Sequence, residues 1–176
     1  MTDMSSRAQR GIWAGAVLAL LAAGCGGEEP AEQAAGGPPL DACQLFGPND
    51  AKVVLEGNVG LMQSVAEDAM GRDLTVCAYS AGYSTPPDIA SLKIHRHRSP
   101  ERAERTLGSV ASTLRGREVP GLGDGAVWVE RMGQLHVRRG ALQLTVTVQA
   151  PQVPDPYAAA RGIAETVLSR LPPASP

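Results

Sequence analysis

His95-Arg96-His97 is the spacing in this 176-residue chain best suited to metal chemistry. On a β-strand, residues i and i+2 share a face. His136 lies between the apolar Leu135 and Val137, so the pattern puts three imidazoles on one sheet face. Three neutral imidazoles suit zinc or copper. Lys93 falls on the same face, however, and Arg96 and Arg98 flank the pair. That pattern suits a solvated basic face, which would attract anionic headgroups or an acidic partner. The basic face is the expectation, with His95, His97 and His136 as the metal candidates and no cofactor.

Other reactive residue types lack the company that catalysis needs. Gly121-Leu122-Gly123-Asp124-Gly125 invites a phosphate-loop reading, but such a loop must feed a helix N-terminus. Here a β-type run follows, so a glycine turn is expected, with Asp124-Gly125 supplying turn chemistry. Ser80, Ser84 and Ser99 stand outside any Gly-x-Ser-x-Gly motif. The acid pairs Glu67-Asp68 and Glu101/Glu104 are expected on helical or loop surface, with nothing in the pattern to make them converge. No catalytic residue is assigned.

The N-terminus carries an address. Arg7 and Arg10 precede the uncharged apolar run Ile12 to Ala23, about a dozen residues where a membrane-spanning helix needs roughly 20. Leu21-Ala22-Ala23-Gly24-Cys25 follows. Small residues ahead of a cysteine resemble the lipobox of bacterial lipoproteins, a resemblance that implies lipid on the Cys25 thiol and cleavage just before it. Two acyl chains would give stable anchoring. The alternative is an ordinary cleaved signal with Cys25 incidental. With Cys25 assigned to lipid, Cys43 and Cys77 remain as an even pair, which in an exported chain reads as a disulfide.

These readings divide the chain into residues 1–24 as signal, 25–40 as a lipidated cysteine and flexible Gly/Pro/Glu tether, and 41–176 as one domain. The whole chain has 16 basic and 18 acidic side chains; losing Arg7, Arg10 and Asp3 leaves 14 and 17, a net charge of −3. That balance argues against a nucleic-acid partner.

The elements follow from spacing. Pro48 to about Glu56 predicts a short helix closed by Gly57, and Asn58 to Met70 fits strand or helix. Leu74–Ser80 and Ser91–Arg98 predict strands. Ser99-Pro100-Glu101 opens a helix whose apolar stripe is Ala103, Leu107, Val110 and Leu114. Ala126–Arg131 and Gln134–Arg139 flank Met132-Gly133, a candidate two-residue hairpin turn, and Leu142–Gln149 alternates as if one face were buried and the other wet. Asp155-Pro156 opens the last helix, with Ala160, Ile163, Ala164, Val167, Leu168 and Leu171 on one stripe. The expected fold is α+β: an antiparallel sheet of about five strands against two or three helices, with one disulfide.

Taken in order, Asp41-Ala42-Cys43 with Leu45, the strand Val76-Cys77-Ala78-Tyr79, and Val119-Pro120-Gly121-Leu122-Gly123-Asp124-Gly125-Ala126-Val127-Trp128 form a pattern. It resembles a broad family of small secreted lipoproteins of unknown function from high-GC bacteria, and is similar to extracytoplasmic sensor-type domains of two-layer α+β architecture. The resemblance implies a fold and an envelope address, and carries no catalytic residues. The expected function is a non-enzymatic, membrane-anchored binding module for an envelope protein or component. The alternatives are a carrier or sensor domain with a small-molecule or lipid pocket between sheet and helices, and, last, an envelope hydrolase.

Overall fold

Residues 40–65, 73–82 and 87–172 are described in the computed structural model. The signal, Cys25 and most of the tether lie outside them, as do Glu67, Asp68 and Ser84.

Local side-chain chemistry sets where the helices begin. The Asp41 carboxylate accepts the Cys43 N–H at 2.8 Å and starts α1 (Ala42–Leu45). Asp50 reaches back to accept the Gly47 N–H at 2.8 Å at the start of α2 (Pro48–Ala51), which has Pro48 in its first turn. The helix expected from Pro48 to about Glu56 is therefore shorter, since the chain leaves helical geometry after Ala51, and α1 is a further short helix set apart from it by the turn at Phe46-Gly47. Ser99 caps α3 (Pro100–Leu114), and Asp155 caps α4 (Pro156–Arg170) by accepting the Ala158 N–H at 2.9 Å. Both carry proline just inside the start, as the sequence indicates.

Seven antiparallel strands form one sheet in the order β1-β2-β3-β7-β6-β5-β4. Their ranges are β1 Val59–Val65, β2 Leu74–Ala81, β3 Asp88–Arg96, β4 Arg117–Glu118, β5 Gly125–Val129, β6 Gln134–Arg139 and β7 Leu142–Gln149. The expected count of about five is corrected to seven, and the described helices number four. The two additional strands are the sheet's edges. β1 is almost wholly exposed, so it lacks the alternation that marks a half-buried strand, and β4 is only two residues long. Glu130–Met132 forms a 3₁₀ turn with Gly133 left-handed at φ 58°, in place of a two-residue hairpin turn.

The sheet is covered on both faces, a three-layer arrangement where two layers were expected. One face carries Cys77, Tyr79, Leu92, Ile94, Leu144, Val146, Leu135, Val137 and Trp128, packed with α1, α2 and α4 in the main core. The Cys43–Cys77 disulfide, with Cα atoms 5.0 Å apart, fastens α1 to β2, as the cysteine count requires. On the other face α3 lays Leu107, Val110, Ala111 and Leu114 over Val127 and Val129. Its passage explains why β7 departs from expectation. Gln143 and Thr145, placed on a wet face by their polarity, are only 7 % and 5 % exposed.

Candidate functional site

The half-sheet under α3 changes character from edge to centre. At β5 it is apolar; on β6 and β7 it becomes a polar layer in which His136, Thr145 and Gln143 are buried, and on β3 it opens to the exposed Lys93. Cross-strand register sets Lys93, Thr145 and His136 in one row, and His95, Gln143 and Arg138 in the next. His97 follows β3 directly. Its Nε2 lies 2.9 Å from Gln143 Oε1, so that nitrogen carries the proton and donates. Its backbone N–H donates to the Ala141 carbonyl at 2.8 Å. The His95 ring packs on His97 with centroids 4.1 Å apart. His136 Nδ1 meets Thr145 Oγ1 at 3.2 Å, while its buried Nε2 has no hydrogen-bond partner.

This layer departs from the expected solvated face. His97 and His136 are about 5 % exposed, so these two leave the expected solvated basic face where α3 crosses β6 and β7, while Lys93 and Arg98 stay exposed and His95 is half-buried. No three His, Cys, Asp or Glu among the described residues form a group able to hold a metal ion. His136 stands two strands from β3, roughly 10 Å at ordinary strand spacing, and in a different row from His95. Burial, reinforced by the Lys93 ammonium, pushes the His136 imidazole down to about 4. His95 is also pushed down, first by burial, then by His97, Lys93 and Arg102, with Asp73 opposing.

The remaining candidates resolve as structure. The glycine loop is a turn: the Asp124 N–H donates to the Arg138 carbonyl at 2.8 Å, and the Asp124 carboxylate accepts the Gly140 N–H at 2.5 Å. Ser99 is occupied as the α3 cap. Ser80 pairs with Ile89, six residues along β3 from His95, about 20 Å away at strand rise. Glu101 and Glu104 are exposed on α3.

What the sequence did not reveal is a cleft of about 620 Å³ between α3 and the β4–β5 connection. Leu107, Gly108 and Ala111 form its helical wall, with Val119 and Val127 opposite; Glu104, Glu118, Asp124 and Arg138 supply the charge. Arg138 is committed to the loop, its Nη1 3.7 Å from the Asp124 carboxylate and its Nη2 donating to the Asp124 carbonyl at 3.1 Å. Gly108 was the available signal: a glycine inside a strongly patterned helix, with open space where a Cβ would stand. A second, more apolar groove of about 290 Å³ runs between α2 and α4, lined by Phe46, Val53, Ala159, Gly162 and Ile163.

No protein-family model, no curated protein and no solved structure matches this chain.

Proposed function

We propose that this chain is a membrane-anchored envelope lipoprotein, held by lipid on Cys25, that serves as a non-enzymatic binding module and takes its ligand in the α3 cleft. The observation that carries the reading is the cleft itself. The α1/α2/α4 face is filled by a continuous core and leaves only the smaller groove of about 290 Å³ between α2 and α4, whereas α3 leaves about 620 Å³ open beside the sheet. That volume lies within the range of small-molecule sites, and its apolar walls with a few charged groups suit a ligand with an apolar body and a charged end.

Native mass spectrometry of the protein released from membranes tests this directly. A bound small molecule is expected in the wild type and lost in Gly108→Phe, which fills the cleft from an open helix position. Retention of the ligand by a folded Gly108→Phe protein would defeat the reading. The anchor is read from the mass of the mature N-terminus, expected at a diacylglyceryl-modified Cys25; an unmodified terminus elsewhere would refute it.

A protein partner is the second reading. Val53, Leu61 and Met62 are 82 %, 57 % and 48 % exposed, and Leu61 and Met62 lie on edge strand β1. Cross-linking on intact cells followed by capture would identify such a partner, and Leu61→Lys should abolish the capture.

A further inference from the structure

α3 rests on the sheet through a smaller apolar cluster than the other long helix. α4 joins the main core, but α3 has only a small satellite cluster: Leu107, Val127 and Val129, with Val110, Ala111, Leu114 and Met132 packed around it. The rest of the surface near it is the histidine layer. The charges acting on that layer come from each neighbouring element: Lys93 on β3 faces His136; His97, Lys93 and Arg102 of α3 face His95; Asp73, before β2, opposes them. Asp73 acts on His95 against these cations, and it also pairs with Arg96 at 3.9 Å.

We propose that α3 is an acid-released latch: added protons on the half-buried His95 and the buried His97 and His136 lift the helix off the sheet and open the cleft it walls. The physical cause is like charge crowded around two buried imidazoles, His97 and His136. Two imidazole rings already touch, Lys93 and Arg102 stand beside them, and a protonated His136 would gain no acceptor for its second N–H. When the helix lifts, the buried His136 and His97 meet water, as the exposed Lys93 and Arg102 already do. The release of ligand rests on the cleft reading; the lifting of the helix does not.

The sign follows from linkage. His136 titrates near 4 with the helix closed and near its ordinary 6.5 when exposed, so the open state binds more protons between those values. Closure is therefore unaffected above about pH 6.5 and weakens as pH falls towards 4. For His136 alone, the closed-to-open ratio drops roughly 30-fold between pH 7.5 and 5.

Hydrogen exchange on the full chain, expressed as protection factors, tests the latch. Residues 100–114 should lose roughly 30-fold protection from pH 7.5 to 5, while α4 holds its own. His136→Asn, which keeps a polar side chain without a titrating ring, should reduce the loss to a few-fold. Lys93→Met, at an exposed position, should also shrink it by letting the closed state accept the proton. Parallel loss in α3 and α4, or an unchanged wild-type loss in both variants, would overturn the proposal. The ligand arm is separate: if α3 loosens at pH 5 and the co-purified ligand stays bound, the latch stands and the cleft reading falls.

Discussion

Asp124 and Arg138 close the glycine loop from both sides: the Asp124 N–H donates to the Arg138 carbonyl, and the Arg138 guanidinium donates to the Asp124 carbonyl. This double clasp leaves no room at the residue between Leu122 and Asp124. Gly123 has φ 59°, and a Cβ there would overlap the Arg138 carbonyl and the Val137 side chain. Gly123→Ala should therefore cost about 2–4 kcal/mol, combining a left-handed backbone with overpacking. Gly121 is also left-handed, but a Cβ there meets open space, so Gly121→Ala should cost roughly 1–2 kcal/mol. Urea unfolding of the pair gives the comparison; equal losses would show that the clasp is not what excludes a side chain at Gly123.

α1 is fastened to β2 twice. Beside the Cys43–Cys77 bridge, the buried Ala42 N–H donates to Thr75 Oγ1 at 3.0 Å. The bridge closes a separation of 34 residues, for which loop-closure entropy gives about 3–4 kcal/mol. Thr75→Val leaves a buried N–H without an acceptor and should cost roughly 1–3 kcal/mol. Because both fasten the same helix, their losses should not add. Once Cys43 and Cys77 are both replaced by alanine, α1 can leave and its N–H meets water, so Thr75→Val should then cost less. A double-mutant cycle measures this coupling, and strict additivity would contradict it.

Arg170 at the end of α4 clamps the first two helices. Its guanidinium donates to both Asp50 carboxylate oxygens, at 2.6 and 2.9 Å, and to the Leu45 carbonyl at 2.8 Å. The Arg170 hydrogen bonds hold the Asp50 carboxyl below its ordinary 3.8 against the opposing effect of burial, and the Gly47 N–H assists. A depressed carboxyl contributes stability above its unfolded value and loses it as pH falls through the lower folded one. The clamp should thus be intact at pH 5, where α3 is predicted to loosen, and fail only below about pH 4. Asp50→Asn should cost about 1 kcal/mol at pH 7, since Arg170 is partly exposed, and nearly nothing at pH 2. Thermal melts at the two pH values check the difference.

The parts of this fold legible in the sequence are those where one segment carries its own signal. Ser99-Pro100 and Asp155-Pro156 cap their helices, the stripe from Ala103 to Leu114 is periodic, and Cys43 and Cys77 pair. Elsewhere tertiary packing decided. β1 stands at an edge with no alternation to read, and Gln143 and Thr145 are polar residues that α3 buries. His97 and His136 looked like surface cations because the pattern marks a sheet face without saying what returns to cover it. The cleft draws on α3, β4, the glycine loop and β6, and no local window contains that combination.

Gly108 provides the most direct check on whether the cleft is used. An interior helical glycine costs roughly 0.5–1 kcal/mol relative to alanine, and at this position a Cβ would meet nothing within 4 Å. Packing therefore gives no reason for the glycine, whereas a ligand lying against the cleft wall does. Gly108→Ala should raise the melting temperature by about 2–4 °C while weakening retention of the bound ligand. Gly162 serves as the internal control: it too is an open glycine in a helix, but it lines the α2–α4 groove. Gly162→Ala should bring the same stabilisation with ligand retention unchanged. If both variants stabilise and neither disturbs the ligand, the α3 cleft is not where it binds.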